Sequence, residues 1–457
     1  MLNALVALLR RRGVASPQEL QRELGISQPS FSRLVARGLD RIAVLGRGKA
    51  TRYALLRDVR SLGAQFPFWR ISDEGKVQSL GTLRALEGGR WWCHDPAKGQ
   101  AGAENLFEGM PYFLADLRPQ GFMGRAFPKQ HADLALPERI GDWNDDDVLT
   151  ALLRRGEDVL GNLLLGAESM QRFLQSLQRA PNINPEVDRG AAYAQLAADA
   201  LKGAPAGSSA GGEQPKFSAL VERGGVPCHV LVKFSPPVAS AADQRWTDLL
   251  FCEHTALEVL REARLPAVQS RILSWGERIF LEVARFDRSG TGGRIGTVSL
   301  GAFDDEFYGR RDNWTAAAGR LQRDNRLGAD DARALRVLDA FGSLIGNTDR
   351  HFGNISLILQ PAAGVRLAPA YDMLPMLYAP INGQIVERAF HLEMPHPDAT
   401  AEWKAARPLA ERFWTRAAND PQVSQAFRDI ARSNAAVVAG GRAIADSLPD
   451  LPTTGNK

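Results

Sequence analysis

One stretch constrains the fold of this chain more than any other. Leu344-Ile-Gly-Asn-Thr-Asp-Arg-His-Phe-Gly-Asn-Ile-Ser-Leu-Ile-Leu359 runs from an apolar helix end through a dense polar loop into alternating aliphatic residues. A Pro-Ala-Ala-Gly turn leads on to Val365–Ala370 and then to Tyr371-Asp372-Met373. The pattern predicts helix, loop, strand, tight turn, strand, and an aspartate where the hairpin ends. Read blandly, it is a polar loop capping a core hairpin. The spacing of its acids and amides points instead to chemistry.

A carboxylate and an amide five residues apart, followed by a second carboxylate past a hairpin, suit phosphoryl transfer. One carboxylate must accept or orient the proton of an attacking hydroxyl, and hard oxygen ligands must hold Mg²⁺ against phosphates. Protein kinases use that order of residues. On this reading Asp349 is the catalytic base, and Asn354 and Asp372 are the metal ligands. His351 is expected as a structural hydrogen-bond donor or as a contact to a bound phosphate. Arg350 is expected to pair with a neighbouring carboxylate.

The upstream half supplies the matching parts. Ser208-Ser-Ala-Gly-Gly-Glu-Gln-Pro-Lys216-Phe is a Gly-rich loop entering a strand, able to turn backbone N–H groups toward phosphate through Ser209, Gly211 and Gly212. Cys228-His-Val-Leu-Val-Lys233-Phe is a strand with one lysine among apolar residues. A buried ammonium needs an anion, so Lys233 is expected to meet nucleotide phosphates and, as one alternative, Glu253 on the next helix. The run Leu281-Glu-Val-Ala-Arg285-Phe286-Asp287 follows a strand and reads as a connector between two lobes, whose backbone would offer hydrogen bonds to adenine.

The first 60 residues differ in charge from the rest. They carry twelve Lys or Arg against four Asp or Glu, a net +8 in a chain whose total is +4, leaving −4 elsewhere. A basic block on a mildly acidic body points to a polyanion partner at this end only. Leu2, Leu5, Val6, Leu8 and Leu9 recur at helical spacing. Ser16-Pro17 with Glu19 opens a second helix that ends at Gly25, and a third runs from Ser27 to Gly38. A two-stranded ribbon follows, turning at Gly46-Arg47-Gly48-Lys49. This is the pattern of a winged helix-turn-helix, with Gln28, Ser30 and Arg33 toward base edges and Arg47, Lys49 and Arg52 on phosphates. Such units also serve as protein docking modules. Gly48-Lys49-Ala50-Thr51 lacks the Walker spacing.

Between the two ends, short aromatic runs over residues 61–140 predict a small sheet-rich domain. Asp145–Leu165, Ala191–Lys202, Ala405–Arg416 and Pro421–Leu448 read as helices. With 457 residues, 44% of them hydrophobic, two or three packed domains are expected. The three cysteines, Cys93, Cys228 and Cys252, lie far apart, which fits a reducing compartment. No secretory signal and no membrane-length apolar stretch is visible, so a soluble, cytoplasmic protein without a membrane partner is expected. The Cys-His neighbours do not form zinc signatures. Gly296-Thr-Val-Ser299-Leu-Gly301 misses the hydrolase elbow spacing. Trp314, Trp403 and Trp414 read as core aromatics.

Together, Ser209–Lys216, Lys233, Arg285–Arg288, Asn347–Asn354 and Tyr371-Asp372 resemble the motifs of the HipA family of bacterial serine/threonine kinase toxins. Gly109–Gly121 resembles that family's N-terminal subdomain, and the winged helix resembles its YjjJ-like subgroup. The resemblance spans roughly residues 105–440. It implies an α+β, two-lobed protein-kinase-like fold, divided as 1–60 (winged helix-turn-helix), 61–140 (small sheet-rich subdomain), 141–290 (N-lobe) and 291–457 (helical C-lobe). It implies ATP and Mg²⁺ as cofactors, with Ser209, Gly211, Gly212, Lys216, Lys233, Arg285, Phe286 and His351 around the nucleotide. It further implies a protein substrate such as an aminoacyl-tRNA synthetase, an antitoxin partner, and autophosphorylation of Ser209 or the adjacent Ser208. That modification would set nearly two negative charges where ATP phosphates must sit. Gly353 departs from the family, which often has Lys there. The alternatives are a DNA-binding regulator whose kinase-like body senses nucleotide, and a small-molecule or lipid kinase.

Overall fold

The structure, a computed structural model, describes residues 1–94, 104–179, 183–203, 214–360, 364–393, 395 and 399–447. Helices Leu2–Arg12, Pro17–Leu24 and Gln28–Ala36 precede antiparallel strands Ile42–Leu45 and Arg52–Leu55. The second helix starts where predicted because Ser16 and Glu19 exchange side-chain and backbone hydrogen bonds. It stops at Gly25, whose φ of +63° suits glycine. Leu5, Leu9, Leu20, Phe31, Leu34, Ile42 and Leu55 make one core, each such side chain contributing about 1.5–3 kcal/mol on burial. The ribbon's Ala43, Leu45 and Ala54 pack on Leu86 of the next sheet, and Arg10 grips Glu87 through two hydrogen bonds of 2.9 and 3.0 Å.

That next sheet is five-stranded and antiparallel, ordered Glu104–Glu108, Arg90–His94, Val77–Leu86, Gln65–Ile71, Leu163–Leu165. The last strand corrects the expected Asp145–Leu165 helix. The helix runs Asp145–Arg155 and ends at Gly156; Gly161 then turns with φ +69°, and Leu163–Leu165 pairs with Gln65–Ile71. A run of three leucines has no periodicity to separate strand from helix, and the two glycines decide it.

A second five-stranded sheet orders Ser270–Trp275, Arg278–Ala284, Val226–Phe234, Lys216–Arg223 and Ile183–Asn184, the last pair parallel. Its faces differ by strand parity. Val230, Val232, Phe234 and Phe280 pack under helix Arg189–Leu201 with Tyr193 and Ala197. Leu281 and Val283 pack under helix Ala241–Glu262 with Leu250 and Leu257.

Helices Leu300–Phe307, Trp314–Arg323, Ala329–Leu344, Thr400–Asn419 and Gln425–Ser447 accompany a three-stranded sheet of Thr297–Ser299, Ser356–Gln360 and Gly364–Leu367. Trp314, Trp403 and Trp414 are buried there, as expected. The final helix starts at Gln425, later than the expected Pro421, because Ser424 accepts from the Phe427 N–H and stays outside the helix. Ala370 bonds through its backbone to Pro266 and Val268, at 2.9 and 3.0 Å, which ties the segment before Asp372 to the second sheet. Among the described residues no helix is long and apolar enough to cross a membrane.

Candidate active site

Lys233 is one residue out of step with Val232 and Phe234, so it faces helix Ala241–Glu262 rather than the opposite core. Glu253 lies three residues after Leu250 and four before Leu257, which places it on the helix face that meets the sheet. The two therefore converge: Lys233 Nζ donates to both Glu253 carboxylate oxygens at 2.6 Å. Nζ also pairs with Asp372 Oδ1, from the other side of the cleft. Burial works against the Lys233 charge, but the two carboxylates outweigh it and hold its pKa above the ordinary value. Asp372 is pushed up by burial and pulled down further by Lys233 and Lys216, so it stays ionised. Its φ is +53°, a left-handed turn that Asp tolerates better than most non-glycine residues.

Lys216 sits directly opposite Lys233 in the strand ladder and is 2% exposed. Burial pushes it down to about 8.

The loop after helix Ala329–Leu344 is held from several sides. Asn347, 1% exposed, accepts from the Asp349 N–H at 3.0 Å and donates to the Asp372 carbonyl at 3.3 Å. One amide thus ties both acids together. Arg350 bonds to Asp339 at 3.2 Å, as its expected pairing with a carboxylate required. It lies so close to Gly342 that a Cβ there would stand 2.6 Å from its Cδ. Trp314 Nε1 donates to the His351 carbonyl at 3.2 Å.

Asp349 itself is exposed, and Asn354 Nδ2 donates to its carbonyl at 2.8 Å and its Oδ2 at 3.2 Å. His351 reverses the expected polarity. Its Nδ1 accepts from the Gly353 N–H at 3.0 Å, which assigns the proton to Nε2, 3.6 Å from Asp349 Oδ1. A Cβ at Gly353 would lie 2.9 Å from that ring, so glycine leaves the imidazole room to fold back.

The chain is 40% identical over 426 residues to Toxin YjjJ of Escherichia coli (strain K12), covering 92% of this chain and 94% of that one. It belongs to the YjjJ-like branch of the HipA-like toxins. The family model of the YjjJ-like toxin middle domain matches residues 62–174, and that of the HipA-like C-terminal domain matches residues 208–438. Among solved structures, HipA of Shewanella oneidensis MR-1, in complex with HipB and operator DNA, matches with a TM-score of 0.50 at 14% identity. That match covers 85% of this chain and 100% of the other, and it speaks for the fold.

Within this YjjJ-like chain the expected residues do not all meet. Lys216 and Lys233 meet Asp372, and Asn347 and Tyr371 tie the segment of Asp372 to the loop that carries Asp349, His351 and Asn354. Phe286 stacks on Tyr371, with ring centres 5.8 Å apart. Arg285 is engaged elsewhere: its guanidinium bonds to both Asp287 oxygens, at 2.9 and 2.7 Å, in a buried cluster with Arg288. Ser208, Ser209, Gly211 and Gly212 lie outside the described residues. Sequence reading missed the parts played by Asn347, Asp339 and Trp314. Asn347 stood inside the quoted motif, but only its burial reveals that it joins the two acids.

The N-terminal residues named for DNA fall on two elements. Gln28 and Arg33 are exposed and Ser30 half-buried on helix Gln28–Ala36; Arg47, Lys49 and Arg52 are exposed at the ribbon. Arg33 Nε donates to the Pro29 carbonyl at 3.3 Å, and an Arg52 guanidinium nitrogen to the Thr51 carbonyl at 2.9 Å.

Proposed function

We propose that this HipA-like toxin is an ATP- and Mg²⁺-dependent serine/threonine protein kinase with a DNA-binding winged helix-turn-helix at its N-terminus. The observation that carries the reading is Lys233, sealed between Glu253 and Asp372 while Asn347 links Asp372 to the Asp349 loop. A lysine held charged between a buried Glu253 and the Asp372 that follows a hairpin suits a polyphosphate.

The donor set fits magnesium. The Asn354 amide nitrogen donates to Asp349, which leaves its carbonyl oxygen as an acceptor, and Asp372 adds an ionised carboxylate. Magnesium takes such oxygens and fills its remaining positions with water and phosphate oxygens. Asn354 and Asp372 would hold the ion, whose charge offsets that of the phosphates. Asp349 takes the proton of the incoming serine or threonine hydroxyl as that oxygen bonds to the γ-phosphorus and ADP leaves. Lys233 steadies the phosphates, and Lys216, Phe286 and His351 border the same space. In this reading Ser209 or Ser208 accepts phosphate in the Gly-rich loop and closes the site by charge.

For the N-terminal unit, the exposed Gln28 and Arg33 with Ser30 suit base edges, and the cations at the ribbon suit phosphates. The HipA structure that contains HipB and operator DNA supports looking for both kinds of partner here. An aminoacyl-tRNA synthetase is the substrate class that the family resemblance implies.

The test is transfer from labelled ATP by the full chain. Wild type labels itself or a protein substrate, and Asp349→Asn loses about 10²–10⁴ in rate with its fold unchanged. Equal labelling by both proteins overturns the assignment of the base. Binding of ATP without transfer by wild type moves the function to a nucleotide-sensing DNA-binding regulator, and label on metabolites instead of peptides moves it to a small-molecule kinase.

A further inference from the structure

The Gly109–Gly121 segment belongs to the middle region, yet one of its side chains reaches the scaffold of the cleft. Asp116 follows the short helix Tyr112–Ala115, whose Tyr112, Phe113 and Leu114 are buried. Its Oδ2 accepts from the Ser299 N–H at 2.6 Å and its Oδ1 from the Ser299 hydroxyl at 2.8 Å. Tyr112 packs edge-on against Phe303 and Phe307 of helix Leu300–Phe307, which makes the contact a docked surface rather than a lone bond.

Ser299 sits where three parts of the site's frame meet. It ends the strand Thr297–Ser299 and pairs in register with Ser356. Its hydroxyl also accepts from the Ala302 N–H at 3.0 Å and so caps helix Leu300–Phe307. The Leu300 N–H donates to the Ile355 carbonyl at 2.8 Å, immediately after Asn354. Across the register, Ser356 Oγ lies 2.8 Å from Tyr371 Oη, and Tyr371 donates to the Gly353 carbonyl at 3.2 Å. With the Tyr371 proton given to Gly353, the Ser356 hydroxyl must be the donor to Tyr371. The bonds therefore enclose Gly353, Asn354 and Ile355 on one side and Tyr371, next to Asp372, on the other.

We propose that Asp116 is a positioning residue for phosphoryl transfer: by clamping Ser299 it fixes the strand and hairpin from which Asn354 and Asp372 reach the metal. This role rests on the kinase reading of the cleft. It gives the middle domain an indirect part in catalysis, through the frame of the site. Asp116 itself touches neither nucleotide nor substrate.

The test compares full-length Asp116→Ala, Asp116→Asn and Ser299→Ala with wild type. Three quantities are read: calorimetric affinity for Mg²⁺–ADP, the magnesium dependence of transfer, and amide hydrogen exchange over residues 353–358. Loss of a group bonded directly to a metal ligand typically costs 10–100-fold in affinity or activity, and Asp116 stands further out, on Ser299. Asp116→Ala is therefore expected to weaken Mg²⁺–ADP by up to about 10-fold, to raise the magnesium needed for half-maximal rate, and to speed exchange at 353–358. Asp116→Asn keeps one acceptor for Ser299 and falls between. A purely structural role lowers the melting temperature without shifting magnesium dependence. If Asp116→Ala does not fold, Asp116→Asn and Ser299→Ala carry the measurement. Wild-type affinity, magnesium dependence and exchange in the folded variants overturn the proposal while wild-type transfer keeps the kinase reading. A wild type that binds no Mg²⁺–ADP and transfers nothing overturns the kinase reading, and the positioning role falls with it.

Discussion

In the N-terminal unit Gln28, Arg33, Arg47, Lys49 and Arg52 stand in solvent, whereas in the cleft Lys233 and Lys216 are 3% and 2% exposed and Glu253 is fully buried. Among the described residues the side-chain bonds of the first group reach at most seven residues along the chain, as in Arg33 to Pro29, Arg52 to Thr51 and Gln21 to Gln28. The second is joined across the chain, with Lys233 reaching 20 residues on to Glu253 and 139 residues on to Asp372. Exposed charges on a local frame can be exchanged at little cost to folding, because water solvates them before and after. Buried charges have only each other. The same kind of side chain is thus open to a partner in one region and part of the structure in the other.

The sharpest way to break that contrast is to remove one charge from each region. Lys233→Met leaves Glu253 buried opposite a methyl group, and breaking a buried pair from one side costs about 3–5 kcal/mol. Urea unfolding of Lys233→Met should show a loss of that size. Adding Glu253→Gln should return much of it, because the pair and not the lysine alone sets the cost. Lys49→Met should stay within about 0.5 kcal/mol of wild type. Equal losses from Lys233→Met and Lys49→Met would end the distinction.

The contrast also explains what could be read from the sequence. Helix boundaries at Ser16-Pro17 and Gly25 were legible because caps act within four residues, and the Asp349–Asn354 spacing was legible because both sit in one loop. The hairpin ending at Asp372 followed from alternation. Leu163–Leu165 was not legible, since its pairing with Gln65–Ile71 depends on residues nearly a hundred positions away. Asn347 and Asp116 were quoted inside motifs, but their roles come from partners that only the fold supplies. The Arg285–Asp287 pairing, by contrast, spans two residues and lies wholly within a quoted motif.

A smaller effect separates the two regions by pH. Lys216 is pushed down to about 8 in the folded chain from an ordinary 10.5. Below the folded value it is charged in both states, and the folded state bears the cost of burying that charge. As pH rises through about 8 toward 10.5 the folded state binds fewer protons than the unfolded one, so this cost is relieved and stability rises. The contribution is roughly 2 kcal/mol between about pH 8 and about pH 9.5. Other groups titrate in the same range, so the reading is the difference between wild type and Lys216→Met in urea unfolding at the two pH values. Wild type should gain relative to the variant as pH rises. A parallel response would show that Lys216 is not desolvated, and the cleft would then resemble the surface it is contrasted with.

The smallest effect belongs to the ribbon and concerns binding alone. If Lys49 neutralises one phosphate, its loss removes one released counterion, and the slope of log affinity against log salt falls by about 1. Stability should be unchanged, because the ammonium is exposed in the free protein. If the Gln28 amide reads base edges, as proposed, Gln28→Ala should act differently: discrimination between sequences narrows while the salt slope holds. Titrating duplex DNA over a range of salt with the two full-length variants separates these outcomes. A Lys49→Ala protein that keeps the wild-type slope would take the ribbon out of the interface. It would leave the exposed cations with the role that winged helices have as protein docking modules.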